Sequence, residues 1–567
     1  MGYHGLQDFM KTLESLGELH RVGTSVSAEL EITEITDRVS KRNGPALLFE
    51  QVRQAQFPLL MNAMGSYARM SLGLGIRELD DVGEEMERYL SLLRQPSLKA
   101  GLRSIPRLLR LLHVFPVKLP LRGACQQVIR REVDLSILPV LQCWPQDAGR
   151  FFTLPLVFTS DPVTGRQNVG MYRMQVLDKR TTGMHWHKHK DGSQLYEAYR
   201  STGRRMPVSV ALGCDPAITY AATAPLPQAL DEMMLAGWLR KANVQMCKSI
   251  TNDIWVPAQA EIVLEGYVDP SEELVMEGPF GDHTGYYSLA DRYPRFHVTC
   301  ITHRRNAVYP ATIVGKPPME DCYMAKATER IFLPVLRMQI PELIDINLPL
   351  EGVFHNCAIV SVRAAYPGCA QKVMNSVWGM GQMMYTKLIV VVDASVDVQN
   401  PAQVRDAVLE YVSGKERLIF SEGPLDALDH SSNQPLYGCR LGVDATAQGA
   451  AAPDSAAMPS YHVMALRKEH AGQGREALTA YLAAHDDRFA IVVDDTVDPN
   501  DLSTVMWKVF NNIDARRDLV FQDGKIGIDA TIKRQDEGLT REWPDEIVMT
   551  EEIKALVTQR WHEYGLD

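Results

Sequence analysis

The stretch from Asn168 to Gly192, NVGMYRMQVLDKRTTGMHWHKHKDG, concentrates groups that can do chemistry. Its second half alternates: His185, His187 and His189 share one face of any strand, and Trp186, Lys188 and Lys190 share the other. Three imidazoles facing one way can bind a metal, and two ammonium groups beside them can hold a phosphate. Asn168, eighteen residues before Trp186, offers an amide oxygen that suits a hard cation. Arg173 interrupts an otherwise apolar strand. A surface strand rich in His, with Arg173 toward solvent, is the competing reading.

A second stretch, MEGPFGDHTGYY, carries Glu277 and Asp282 five residues apart on a loop bent by Gly278, Pro279, Gly281 and Gly285. Two carboxylates on one tight loop can share a site and split their pKa values, which makes one a proton donor. Arg173 is expected to pair well with only one of them. His283, Tyr286 and Tyr287 add polar and aromatic groups, although acidic glycine-rich turns are also common and inert. A third group sits in PLPQALDEMMLAGWLRKA, where Glu232 falls in line with Leu235 and Leu239, off the face of Leu230, Met234 and Trp238. A carboxylate on an apolar flank wants a partner, because burying it unpaired is costly. An exposed helix glutamate would look the same.

The elements that must position these groups follow from periodicity. Phe9, Leu13 and Leu16 predict a first helix that Gly17 stops. Leu30 to Ser40 and Gly44 to Val52 read as helix then buried strand, the opening of an α/β region. After a helix over Leu79 to Leu93, Leu108, Leu111 and Leu112 form an apolar stripe among Arg103, Arg107, Arg110, Lys118 and Arg122. Such a basic amphipathic segment can lie on a membrane surface or be a solvated helix face. Pro116 to Pro120 mark a boundary. From Val133 to about His303 come short strands separated by turns, which predict a small β-barrel or sandwich rather than βαβ units. After a long helical connector the chain returns to α/β and repeats itself. Arg363, Tyr366 and Gly368 recur as Arg467, His470 and Gly472, each 104 positions later. VVVDASVD recurs as IVVDDTVD and LGVDAT as IGIDAT, across the low-complexity linker TAQGAAAPDSAAMPS. Neither copy carries the chemical stretches, so the repeat reads as structural.

Composition sets the outer bounds. With 567 residues, 46% hydrophobic and 23% charged, the chain is expected to be soluble and to hold two or three domains. A net charge of −11 without a long basic stripe argues against nucleic acid as a partner. The nine cysteines are scattered with no C-x-x-C pair, neither a zinc framework nor a disulfide scaffold, and suggest a reducing cytosol. No signal peptide or membrane span is visible. The expected location is cytoplasmic, with the basic amphipathic segment leaving room for peripheral contact with the inner membrane.

NVGMYRMQV, LDEMMLAGWLR, AEIVLEGYV, EGPFGDHTGYY, GKPPMEDCYMAKATERIFLP and the closing REWPDEIVM together resemble the UbiD family. These are decarboxylases of aromatic and α,β-unsaturated acids that use prenylated flavin mononucleotide (prenylated FMN). The resemblance runs from LESLGELHRV to WPDEIVM. With it, the expected organisation is an α/β (α+β) chain: an N-terminal α/β domain (1–118), a central split β-barrel that binds prenylated FMN (119–310), a helical connector (311–350), and two C-terminal α/β copies (351–450 and 451–567). The duplication stands outside the family's common pattern.

The resemblance implies that a divalent ion, manganese or a relative, bridges the flavin phosphate to Asn168, Glu232 and a histidine, His189 before His187. Hard oxygens with one imidazole suit such an ion. A potassium ion nearby is a further implication. Met171, Tyr172, Arg173 and the run His185, Trp186, His187, His189, Lys190 and Asp191 would line the cofactor. Arg173, Glu277 and Asp282 match the catalytic trio: Arg173 orients the substrate carboxylate, Glu277 pairs with it, and Asp282 returns the proton. Implied partners are an aromatic carboxylic acid, a flavin prenyltransferase as cofactor supplier, and further copies of the chain in a dimer or hexamer. The substrate implied first is a 4-hydroxy-3-polyprenylbenzoate of ubiquinone biosynthesis; dihydroxynaphthoate of the menaquinone pathway and small phenolic acids are rivals. The alternative of another class is a non-catalytic flavin-binding assembly subunit.

Overall fold

The computed structural model describes residues 2–94, 111–186, 191–227, 230–448 and 459–566. His187, Lys188, His189, Lys190 and the basic stretch 103–110 lie outside the described residues. The chain divides into two compact units, residues 1–328 with 546–567, and residues 329–545.

In the first unit, α1 (Leu6–Ser15) buries Phe9 and Leu13 but ends before Leu16, which is exposed. β1 (Leu19–Val22) and β2 (Ala46–Phe49) pair in parallel, with α2 (Glu31–Lys41) between them in sequence. Ile32, Ile35 and Val39 form the buried stripe of α2, the helical spacing the sequence carries. β3 (Leu59–Met61) adds antiparallel to β2, and Tyr309–Pro310 adds parallel to β3.

The strand-rich middle forms one seven-stranded antiparallel sheet. Its members are β4 (Leu156–Ser160), β5 (Gln167–Met171), β6 (Thr181–Gly183), β7 (Met206–Leu212), and later β10 (Ile262–Val268) and β11 (Arg295–His303). The order is β6-β11-β10-β7-β4-β5, with Val128–Arg130 also pairing with β11. The end strands β5 and β6 do not pair with each other, so among the described residues the sheet is open and no closed barrel forms. Two helices matter to the site, α3 (Asp191–Thr202) and α4 (Glu232–Arg240). Between α4 and β10 lies a small sheet: β8 (Gln245–Lys248) pairs with β9 (Trp255–Pro257) and with Val117–Lys118.

The closing residues belong to this unit's core rather than to the second α/β copy with which the sequence groups them. Ile547, Met549, Val557 and Tyr564 pack into its main cluster, and Tyr564 Oη donates to the buried Glu31 at 2.9 Å. Among the described residues no helix is long and apolar enough to cross a membrane.

The 20-residue helix α5 (Glu320–Gln339) carries the chain into the second unit, where the repeat becomes architecture. The first copy runs β12 (Cys357–Val362), α6 (Cys369–Trp378), β13 (Leu388–Asp393), α7 (Pro401–Tyr411), β14 (Leu418–Pro424) and β15 (Tyr437–Ala445). The second runs β16 (Tyr461–Leu466), α8 (Gln473–Ala484), β17 (Phe489–Asp494), α9 (Leu502–Asn512), β18 (Leu519–Gln522) and β19 (Lys525–Asp529). Their sheets have the same order, β12-β13-β15-β14 and β16-β17-β19-β18, with Leu343–Asn347 added beside β12 alone. Gly368 and Gly472 cap α6 and α8 at φ 82° and 78°. Val390 and Val392 of one copy and Ile491 and Val493 of the other share a single core.

Local chemistry repeats as well. Asp444 accepts from Thr446 N at 3.1 Å and Thr446 Oγ1 at 2.7 Å; Asp529 accepts from Thr531 N at 3.1 Å and Thr531 Oγ1 at 2.6 Å. The second copy adds a buried ammonium, Lys533, whose Nζ donates to Asp529 at 3.1 Å. Asp529→Ala strips this buried charge of its nearest carboxylate and removes the turn's acceptor. It is expected to destabilise the second unit by about 3–5 kcal/mol in urea unfolding; a loss below about 1 kcal/mol contradicts this account of the turn.

Candidate active site

Arg173 lies between β5, which ends at Met171, and the short strand Met174–Gln175, which pairs with Phe151–Phe152. The acidic loop is built from two small hairpins. Val275–Glu277 pairs with Asp291–Tyr293, and Phe280–Gly281 pairs with Tyr287–Ser288. Gly278 and Gly285 take φ 91° and 86° at the bends, a region an L side chain rarely adopts. The loop is clamped from several sides. Gly278 N donates to Gln175 Oε1 at 2.9 Å, Ala148 N to Pro279 O at 2.9 Å, and Ile547 N to Gly285 O at 2.9 Å. Asp147 takes Gly281 N on one oxygen at 2.7 Å, and Cys143 N and Trp144 N on the other at 3.0 and 2.9 Å. Burial pushes Asp147 up to about 7 against these three donors.

These clamps bring Arg173, Glu277 and Asp282 together. Arg173 Nε donates to Glu277 Oε1 at 2.9 Å, Nη1 donates to Asp282 Oδ2, and Nη2 reaches Ser288 Oγ at 3.1 Å. The guanidinium also covers the Phe280 ring, 4.6 Å from its centre. His185 Nδ1 meets Glu277 Oε2 at 2.5 Å, with its ring against Tyr293. Asp282 Oδ1 accepts from both the backbone N and Nδ1 of His283, at 2.8 and 3.0 Å.

The electrostatics correct the expectation that Arg173 serves one carboxylate and leaves the other protonated. Burial raises Asp282, but Arg173 and His283 outweigh it and hold the carboxyl well below its usual range. Burial likewise raises Glu277, and His185 and Arg173 bring it below its ordinary value. Burial and the neighbouring Arg173 lower His185. A neutral imidazole donating from Nδ1 to an ionised Glu277 follows. One planar guanidinium with several donors can satisfy two carboxylates at once, which loop spacing alone does not reveal.

Of the three imidazoles only His185 lies among the described residues; His187 and His189 lie outside them. Strand β6 stops at Gly183; Met184 N donates to Pro294 O and Trp186 N turns back to Met184 O, so His185 faces Glu277. Glu232 stands at a helix start, in line with the buried Leu235 and Leu239. It is the first residue of α4, behind the N-cap Asp231, where a carboxylate is favoured by the helix dipole. Its Oε2 accepts from Val169 N at 3.4 Å, which places it against β5 one residue from Asn168. Gln167, on the other side of Asn168, is fixed by two bonds of 2.9 Å to the backbone of Trp255.

An amide and a carboxylate on adjacent elements fit a hard divalent ion. Among the described residues no three His, Cys, Asp or Glu side chains form a metal site, and His189 lies outside them. Among the described residues the buried Trp186 indole N–H has no hydrogen-bond partner, and the first turn of α3 packs on it so closely that a Cβ at Gly192 would meet Nε1 at 2.7 Å. A buried orphan donor beside a helix N-terminus fits an anionic group such as a phosphate. Met171 N donates to Ala222 O and Tyr172 packs against the unit's core. Asp191 opens α3, and Lys190 and His187 lie outside the described residues.

Sequence reasoning missed Asp147, Ser288 and Tyr293, and saw His283 only as a polar neighbour. The adjacency of His283 to Asp282 was a usable signal. Asp147 carries none, because its link to the loop is a single backbone N–H 134 residues away.

Three family descriptions match the chain: the UbiD N-terminal domain over residues 10–88, the 3-octaprenyl-4-hydroxybenzoate carboxy-lyase Rift-related domain over 118–317, and the UbiD C-terminal domain over 322–445 and 447–539. The second copy, which the sequence set apart from the common pattern, thus carries it too. An uncharacterized protein of Archaeoglobus fulgidus is 48% identical over 448 residues, 79% of this chain and 92% of its own. One of Helicobacter pylori is 35% identical, covering 97% of this chain and 95% of its own. Vanillic acid decarboxylase of Sedimentibacter hydroxybenzoicus in closed form superposes with a TM-score of 0.69 at 25% identity, over 86% of this chain and 100% of that one. HmfF of Pelotomaculum thermopropionicum in complex with FMN gives 0.67 at 25% identity, over 78% and 94%. With all three domains matched in order along one chain, the protein belongs to the UbiD family of carboxy-lyases.

Proposed function

We propose that this carboxy-lyase removes CO₂ from an aromatic carboxylic acid with prenylated FMN and a divalent ion, manganese or a close relative, as a step of quinone biosynthesis. The first-choice substrate is a 4-hydroxy-3-polyprenylbenzoate, in keeping with the family description. The vanillic acid decarboxylase among the structural neighbours favours a small phenolic acid as the second choice. The cofactor reading is supported by HmfF, whose structures hold FMN and, in an evolved dimeric form, prenylated FMN. A flavin prenyltransferase would supply the cofactor, and a homo-oligomer at work in the cytoplasm completes the reading. The observation that carries it is the Arg173 guanidinium shared by the buried Glu277 and the half-buried Asp282. A non-catalytic flavin-binding subunit has no chemical need for that arrangement.

Asn168 and Glu232 would hold the ion, with His189 as the third ligand, and Trp186 with the start of α3 would hold the flavin phosphate. Prenylated FMN, when bound, supplies an electron sink for the carbon that loses CO₂. Arg173 binds and orients the substrate carboxylate. Glu277 stays ionised, fixed by His185 and Arg173, and keeps the guanidinium in place. Asp282 delivers a proton to the carbon after CO₂ has left. In the resting cluster two carboxylates share one guanidinium; a third, from the substrate, dilutes that positive charge and raises the proton affinity of Asp282. His283 Nδ1, 3.0 Å from Asp282 Oδ1, is the donor in place to charge it.

Asp282→Asn keeps size but cannot carry the proton. Turnover is expected to fall by about two to four orders of magnitude, the usual range for a general acid, with flavin content unchanged. Exchange of the product's ring hydrogen with D₂O should fall in parallel, and near-normal exchange would move the acid to Glu277 or a bound water. Glu232→Ala should leave the protein folded but strip its flavin absorbance, since the phosphate loses its bridging ion. Full flavin occupancy in that variant would remove Glu232 from the ligand set.

A further inference from the structure

Cys125 and Cys247 lie outside the site described above and face each other inside the first unit. Cys125 sits in the 3-10 turn Ala124–Gln126 and Cys247 in β8; both are fully buried, with Sγ atoms 3.6 Å apart. The frame that holds them does not depend on the sulfurs. Cys125 N donates to Ala258 O at 3.1 Å and Gln126 Nε2 donates to Lys248 O at 2.7 Å, so the turn is fixed to both ends of the small sheet. A Cβ at Gly123 would stand 2.7 Å from both Cys247 Sγ and Ala258 O, so only glycine allows this close approach.

The two thiols differ in character. The hydrogen bond between the two thiols, helped by the Gly123 N–H, lowers Cys247 against the effect of burial; the same bond, together with burial, raises Cys125. Cys247 is therefore the partner prone to the thiolate, the form that reacts. Closing from contact to a bonded sulfur pair takes a shift of roughly 1.5 Å, within reach of side-chain rotation. Place adds weight to the pair. β8 follows α4, which opens with Glu232, and pairs with β9, whose Trp255 backbone holds Gln167 next to Asn168. The sulfurs sit at the root of the frame that carries both oxygen donors.

We propose that Cys125 and Cys247 are a reversible dithiol–disulfide site, oxidised by small two-electron oxidants of the peroxide class. The Cys247 thiolate attacks one peroxide oxygen; the O–O bond breaks, the departing oxygen leaves as water after taking a proton, and Cys247 becomes a sulfenic acid. The Cys125 sulfur then attacks the Cys247 sulfur, and the hydroxide expelled takes the Cys125 proton as water. Two thiols lose two electrons and two protons, one peroxide becomes two waters, and an S–S bond forms. A dithiol reductant reverses the change. A dithiol that cycles in this way agrees with a chain otherwise suited to a reducing compartment.

The test uses the folded full-length chain and hydrogen peroxide, followed by denaturation, thiol counting and tryptic mapping by mass spectrometry. Two of the nine thiols should be lost, peptides 123–130 and 242–248 should appear joined, and dithiothreitol should restore the full count. Cys247→Ser should lose no thiol to disulfide, whereas Cys214→Ser, altered at another buried cysteine, should still yield the joined peptide. All nine thiols surviving in the folded wild type, or thiol loss without that joined peptide, overturns the proposal. Mapping the wild type needs no variant to fold.

Discussion

A half-buried guanidinium shared by the buried Glu277 and the half-buried Asp282 is the interaction on which the chemistry proposed for the first unit depends. Taking such charges out of water costs several kcal/mol per ion, and their mutual attraction offsets this only in good geometry with the remaining donors and acceptors met. Here the remaining groups are met: Ser288 takes another Arg173 donor, His185 bonds the far oxygen of Glu277, and His283 bonds the far oxygen of Asp282. The cluster carries one formal positive and two negative charges. It is therefore an environment that holds carboxylates ionised, and whose balance a third carboxylate would shift toward protonation. The same geometry explains why the loop is so heavily clamped. A displacement of about 1 Å would separate Asp282 from Arg173 and turn a satisfied ion pair into an uncompensated charge.

The sequence carried the middle sheet, the helix–strand opening and the duplication, because each writes a period or a repeat into the chain. It also carried Arg173, Glu277 and Asp282 as residues, since Arg in an apolar strand and acids on a glycine loop stand out. It did not carry their pairing. Arg173 and Glu277 are 104 residues apart, and which acid a guanidinium takes is decided by hairpins and clamps such as Asp147. The setting of His185 was hidden for a related reason. Period-two spacing predicts a common face only while the chain remains a strand, and β6 ends two residues before His185. Glu232 shows the converse: its residue type drew notice, but its place at a helix start, with Asp231 as cap, changes why a carboxylate is tolerated there.

The second unit contributes a different kind of order. Two β-α-β-α-β-β copies with one sheet order share a core of β-branched residues, and the same Asp–Thr turn closes each. Divergence is concentrated at the edges: Leu343–Asn347 extends only the first sheet, and the buried Lys533 occurs only in the second. Repeats of this kind keep the hydrophobic pattern that folds them and vary what lies outside it. Among the described residues neither copy holds a counterpart of the Arg173 cluster.

The central claim is that the Arg173 cluster makes this chain a prenylated-FMN decarboxylase of an aromatic acid. The most direct measurement is CO₂ release by the protein co-expressed with a flavin prenyltransferase, its prenylated FMN verified by mass spectrometry. The panel is 4-hydroxy-3-polyprenylbenzoate, dihydroxynaphthoate, vanillate and 3,4-dihydroxybenzoate. The account predicts CO₂ from at least one of these acids, lost when Arg173 is replaced by Ala. Protein with its prenylated flavin in place that releases CO₂ from none of them, or an Arg173→Ala variant as active as the wild type, would contradict it.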